Sequence, residues 1–287
     1  MNLLSFRTAG RQSCGVLDDD EVVDFGTERK PVSMRQVLES RLADVLRKPS
    51  GARYPLSDIE FLPVVPDPGK IFCLGINYHA HGVEANKSAA AHPALFVRFA
   101  DSFVGHESSI QRPRDSDQFD YEGELAVVIG RHASRVVARE ALSYVAGYTC
   151  CAENSVRDFQ KHSTQATAGK NFRRSGSLGP WITTADEISD PATLQLTTRL
   201  NGKTMQQASL ADLIFSVPVL IEYITRFTDL SPGDIISTGT PAGVGVTRDP
   251  PVYMQPGDTL EVEIDRIGCL RNRVIADLQE TTPEKQQ

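Results

Sequence analysis

At 287 residues the chain is long enough for one large domain and a small appendage. A formal charge of −7 and a pI near 5.4, with no basic tract, argue against a nucleic-acid surface. No apolar run approaches the roughly 20 residues of a membrane span, and five scattered cysteines, an odd count without framework spacing, read as reduced thiols in a cytoplasmic setting. The first residues, MNLLSFRTAGRQS, lack the basic start, apolar centre and cleavage motif of a signal peptide.

Residues 1–62 carry strand-like runs, NLLSFRT and SCGVLDDDEVVDF, and a short amphipathic helix, MRQVLESRLADVLRK. They close on FLPVVPDPGK, a Pro-rich linker signal, so a small N-terminal domain is expected over residues 1–64. In GINYHAHGVE (75–84), His81 and Glu84 are three apart and share one face of a helical turn, within hydrogen-bonding reach. Taken alone, this reads first as a His–Glu pair on an exposed helix. His79 would point away from Glu84 and receives no role.

In DYEGELAVVIG (120–130), Glu122 and Glu124 are two apart, at the start of an apolar run that belongs in a core. Successive strand side chains alternate, so both carboxylates fall on one face, where like charges repel and desolvation is costly without compensation. A solvated strand start and a cation site are equally compatible with these eleven residues. A helix-like segment, RHASRVVAREAL, then leads to a second apolar strand in AGYTCCAENSVRDFQ (146–160), which brings a third acid, Glu153. Three carboxylates with no clustered His or Cys suit a hard cation, Mg²⁺ or Mn²⁺ before Ca²⁺, and disfavour zinc. The adjacent Cys150 and Cys151 read as small apolar core residues.

Farther along stand GKNFRRSGSLGPWI (169–182), a helical segment DLIFSVPVLIEYITRFTDL and a Gly/Thr-rich turn, STGTPAGVG (237–245). That turn lacks the lysine of a nucleotide-binding P-loop. Thr240 and the backbone N–H groups around Gly239 could hold a substrate oxygen, although alone the segment reads as a tight loop. Short strands punctuated by Gly and Pro make the chain an α+β, strand-rich protein. The polar end, residues 278–287, reads as a disordered tail.

Taken in order, GINYHAHGVE, DYEGELAVVIG, AGYTCCAENSVRDFQ, GKNFRRSGSLGPWI, IFSVPVLIEYITRF, LSPGDIISTGTPAGVG and PGDTLEVEIDRIGCLRN resemble the fumarylacetoacetate hydrolase family over about residues 68–277. The resemblance implies a mixed β-roll catalytic domain over that span and, commonly, a homodimer. It implies a metal held by Glu122, Glu124 and Glu153. The family more often has Asp at the third position and Asn at Ala152; the longer Glu153 adds one methylene, roughly 1.5 Å of reach.

The segment 77–84 resembles the family's lid motif, which implies that His81, oriented by Glu84, is a general base. Lys170 matches a lysine facing substrate, placed to stabilise developing oxygen charge. Arg157 and Gln160 match positions that reach toward substrate, although Arg157 could equally pair with Asp158. Arg98 occupies a slot that is basic in relatives. Arg173 and Arg174 stand where acidic and small residues are common, and could clamp a substrate carboxylate or lie on the surface.

The implied activity is hydrolysis of a C–C bond in a 2,4-diketo acid such as maleylpyruvate or fumarylpyruvate, giving pyruvate and a carboxylic acid in aromatic-compound catabolism. Alternatives on the same scaffold are hydrolysis of a 2,4-diketo-3-deoxy sugar acid and decarboxylation or keto–enol isomerisation of oxaloacetate. A non-catalytic binding protein is a third possibility, weakened by the presence together of His81, Glu84 and Lys170.

Overall fold

The segment GELAVVI carries apolar residues at successive positions, the pattern of a strand covered on both faces. In the computed structural model, which describes residues 1–40, 51–86 and 90–277, it forms the strand Gly123–Ile129, buried along its whole length. Leu125, Val127 and Ile129 join one core, packed with Leu220 and Ile224 of the helix Val217–Thr225 and with Leu196 and Val262 of a second sheet. Ala126 and Val128 point the other way, into a core shared with Met34 and Val37 of the helix Met34–Ser40. Cys150 and Cys151, on the neighbouring strand, divide between the same two cores, and both are free thiols.

The main sheet runs, in spatial order, through strands Arg53–Pro55, Glu21–Asp24, Arg11–Asp18, Asn2–Thr8, Gly176–Thr184, Val145–Ala152, Gly123–Ile129, Ile235–Ser237, Ile71–Leu74 and Leu95–Val97. Strand Asn2–Thr8 pairs antiparallel with Gly176–Thr184, so the N-terminal strands extend the sheet that carries Gly123–Ile129. Ile235–Ser237 and Ile71–Leu74 run parallel, and the sheet is mixed. A five-stranded sheet containing Gln195–Leu200, Thr259–Ile264 and Gly268–Ala276 closes over the other face. The strand-rich α+β expectation holds. Among the described residues, no helix is long and apolar enough to cross a membrane.

Two helical expectations are shortened. The segment after Gly130 forms only a 3-10 helix, Ala138–Tyr144. The helix expected over 212–230 spans only Val217–Thr225, with Pro218 in its first turn. Upstream of it, the backbone N–H groups of Ile214 and Phe215 donate to the carbonyl and side-chain oxygens of the buried Asn77, at 2.8 Å each, which diverts them from a helical ladder. The first helix is seen over Met34–Ser40; its expected continuation to residue 48 and the tail 278–287 lie outside the described residues.

Gly147 pairs with both neighbouring strands at the centre of the main sheet. A Cβ there would fall 2.2 Å from the backbone oxygen of Thr183. Gly147→Ala should destabilise the fold by about 1–3 kcal/mol, the usual cost of overpacking, read as a lower urea midpoint at unchanged slope.

Candidate active site

The strand pair Gly123–Ile129 and Val145–Ala152 sets the positions of the acids. Glu124 pairs opposite Cys151, and the backbone N–H of Glu153 donates to the Glu122 carbonyl at 2.9 Å, extending the ladder by one rung. Pleating then puts all three carboxylates at one end of one face. They are 3, 1 and 0 % exposed for Glu122, Glu124 and Glu153. One oxygen from each lies within 4.8 Å of the others.

Each acid has a different partner. Arg157 ion-pairs with Glu122 at 2.6 Å, and the Lys170 ammonium contacts both Glu122 and Glu153. Burial opposes ionisation of Glu122, yet Arg157 and Lys170 together hold its carboxyl below the usual carboxylate range. Among the described residues, Glu124 receives only the Ser237 hydroxyl at 2.5 Å and the Gly239 N–H at 2.8 Å. Burial, reinforced by Glu153, pushes its carboxyl well above the usual range. Burial also raises Glu153, despite Lys170 and Arg98.

Arg98 does not reach toward a substrate. Its side chain is fully buried, bonding the Glu153 carbonyl at 2.6 Å and the Glu153 carboxylate at 3.1 Å. The extra methylene of Glu153 is thus accommodated with one carboxylate oxygen on Arg98 and the other on Lys170. Arg157 is not paired with Asp158. Its Nε donates to Asp120 at 2.8 Å and one terminal nitrogen donates to Gln160 at 3.0 Å, while Asp158 accepts from Ser116.

Glu122, Glu124, Arg157, Gln160 and Lys170 border a cavity of about 780 Å³, whose walls also include Thr240, His81 and Glu84; Glu153 and Arg98 are not among them. His81 Nδ1 lies 3.1 Å from one Glu84 carboxylate oxygen. The other accepts from the Gly243 N–H at 2.9 Å and the Thr247 hydroxyl at 2.6 Å, so the pair is held against loop 243–247 rather than exposed on a helix. That loop is also fixed from beneath, because the buried Asp120 accepts from the N–H groups of Gly245 and Val246. Asp120 and Thr247 were not singled out from the sequence, although Asp120 opens the same segment as the E-x-E pair.

Four residues expected to contact substrate are corrected. The Thr240 hydroxyl has one proton, and it goes to the Gly123 carbonyl at 3.0 Å. The Gly239 N–H is committed to Glu124, so neither group is free to donate to a substrate oxygen. Arg173 and Arg174 are not among the cavity's walls. Arg173 is exposed, and Arg174 turns toward residues 109–111, where its carbonyl accepts from the Gln111 N–H. Asn77 holds the lid's base, donating to the carbonyls of Phe215 and Thr238 at 3.0 and 2.7 Å.

The profile of the fumarylacetoacetate (FAA) hydrolase C-terminal domain matches residues 70–275. The chain belongs to the fumarylacetoacetate hydrolase family. It is 38% identical over 262 residues to the mitochondrial oxaloacetate tautomerase Fahd2a of Rattus norvegicus, covering 88% of this chain and 84% of that protein. A maleylpyruvate hydrolase from Sphingobium sp. SYK-6, solved with Mn²⁺ and pyruvate, superposes with a TM-score of 0.80 at 29% identity, covering 97% of this chain and all of that one. A 5-carboxymethyl-2-hydroxymuconate delta-isomerase from Mycobacterium smegmatis gives 0.80 at 29% identity, covering 96% of this chain and all of that one. This fumarylacetoacetate hydrolase family member is thus an enzyme whose relatives include both isomerases and hydrolases.

The donor set fits a divalent metal. Three oxygen donors converge with no thiolate or imidazole among them, as a hard cation requires. Among the described residues, four carboxylates, of Asp120, Glu122, Glu124 and Glu153, face three cations, of Arg98, Arg157 and Lys170, and Glu124 is the acid without an ion-pair partner.

Arg98→Met should leave Glu153 buried beside one cation instead of two. An unfolding free energy lower by about 3–5 kcal/mol is expected, the cost of breaking a buried pair, and a melting curve like that of the unaltered protein would remove Arg98 from this role. Glu124→Gln should weaken Mn²⁺ binding at least tenfold by titration calorimetry while leaving the fold intact by circular dichroism.

Proposed function

We propose that the protein catalyses keto–enol tautomerisation of a 2-oxo dicarboxylate, with oxaloacetate as the reference substrate and Mg²⁺ or Mn²⁺ as the cofactor. The observation that carries this reading is that a His–Glu pair and an ammonium–carboxylate cluster border the same cavity. Likeness to the rat tautomerase over most of the chain supports the substrate class.

Held by Glu122, Glu124 and Glu153, the cation would polarise the substrate's 2-oxo group and so acidify the hydrogens on its C3. With Nδ1 engaged by Glu84, His81 offers Nε2 as the atom that removes a C3 proton and returns it in the reverse direction. Glu84, gripped by Gly243 and Thr247, fixes the ring's orientation. Lys170 supplies positive charge where negative charge grows on oxygen. The enolate oxygen takes its proton from solvent, and the same steps reversed convert enol to keto form.

Acylpyruvate hydrolysis is the second reading, favoured by the likeness to the maleylpyruvate hydrolase over nearly the whole chain. The same His81–Glu84 pair could deprotonate a water as readily as a carbon acid.

The two are separated by following the near-ultraviolet absorbance of enol-oxaloacetate and, in parallel, pyruvate release from maleylpyruvate, with Mg²⁺ or Mn²⁺ and with chelator. The expected result is metal-dependent tautomerisation, with the His81→Ala rate down by about 100- to 10,000-fold at unchanged Mn²⁺ affinity. Pyruvate release without tautomerisation would transfer the assignment to the second reading. Inertness toward both would reject the two together.

A further inference from the structure

We propose that Lys161 determines the cavity's specificity by seating the distal carboxylate of a 2-oxo dicarboxylate. This deepens the reading of the cavity as a 2-oxo dicarboxylate site and rests on it. A dianion entering this space meets carboxylates of Glu84, Glu122 and Glu124 on the walls, so its second charge needs a dedicated cation. Apart from His81, three basic residues line the cavity: the buried Arg157 and Lys170, and the exposed Lys161. Arg157 is committed to Asp120 and Glu122, and Lys170 to Glu122 and Glu153. The Lys161 ammonium makes no ion pair or hydrogen bond among the described residues. Arg173 and Arg174, expected to supply this charge, do not border the cavity.

Lys161 is also well placed in the chain. It follows directly on the helix Arg157–Gln160, and its N–H donates to the Asp158 carbonyl at 3.0 Å. Asp158 is fixed by the Ser116 hydroxyl at 2.6 Å. The next residue, His162, packs its ring 4.6 Å from that of Phe159, which meets Phe172 edge-on. On the other side a Cβ on Gly169 would fall 2.5 Å from the Gln160 nitrogen, so the backbone leading to Lys170 lies hard against the residue before Lys161. The backbone that carries the exposed Lys161 is therefore braced, on the same segment as Arg157 and Gln160. A charge-assisted bond from such a donor to a carboxylate distinguishes ligands that carry it from those that lack it.

The test compares L-malate with 2-hydroxybutyrate, two unreactive four-carbon 2-hydroxy acids that differ only by the distal carboxylate. Their affinities for the full-length, Mn²⁺-loaded protein are measured by calorimetry. The unaltered protein should prefer malate by about tenfold, Lys161→Gln should abolish that preference by weakening malate alone, and Lys161→Arg should retain most of it. In turnover, Lys161→Gln should raise KM for oxaloacetate by about the same factor, with a smaller effect on kcat. A malate preference that survives in Lys161→Gln, or its absence from the unaltered protein, would overturn the proposal. Should Lys161 control malate binding while oxaloacetate is not turned over, the tautomerase assignment fails and the carboxylate seat stands.

Discussion

Removing carboxylates from water is the central difficulty this protein solves. Glu122, Glu124 and Glu153 are almost wholly buried, with Asp120 beneath them, and an uncompensated ion in such a setting carries a penalty of several kcal/mol. Arg98, Arg157 and Lys170 answer it from three separate segments, each side chain itself buried. The three segments are held by the sheet and its flanking turns, so charge compensation and chain topology are one arrangement. Among the described residues the balance still leaves Glu124 without a cationic partner; burial resists its ionisation, and a further positive ligand is what would favour the charged form.

The same network reaches the proton-transferring side of the cavity. Asp120 bonds Arg157 on one side and the Gly245 and Val246 N–H groups on the other. Loop 243–247 in turn grips Glu84, which orients His81. Hydrogen bonds on both sides of loop 243–247 thus connect the acidic cluster to the imidazole through the loop's backbone. Small displacements at one end are constrained by the other, as preorganised catalysis requires.

Face periodicity was enough to group the acids in the sequence. The i, i+2 spacing of Glu122 and Glu124 and the apolar run behind them imply a shared face, the second apolar strand brings Glu153, and i, i+3 spacing pairs His81 with Glu84; the family resemblance supplied Lys170 and the roles of these residues. What local spacing cannot report is which distant segment lies opposite. Arg157 has an acid next to it in sequence, Asp158, yet pairs with Asp120, 37 residues away. Arg98 matched a basic slot correctly but lies behind Glu153 instead of in front of it. Gly239 and Thr240 had the right chemistry for holding an oxygen, and the protein's own Glu124 and Gly123 took those bonds. Arg173 and Arg174 were conspicuous as charges in an acidic chain, but neither borders the cavity. Lys161, which does, had no motif to mark it.

The pleat of Gly123–Ile129 serves two masters. Its odd and even side chains fill different cores, while its leading end aims Glu124 at the cluster. Sliding this strand by one position against Val145–Ala152 would exchange the contents of both cores and turn the carboxylate toward the opposite layer. Pairing errors here cannot yield a sound but inert molecule. Whatever selects the correct ladder during folding also selects the chemistry, and the protein has no stable half-measure between the two.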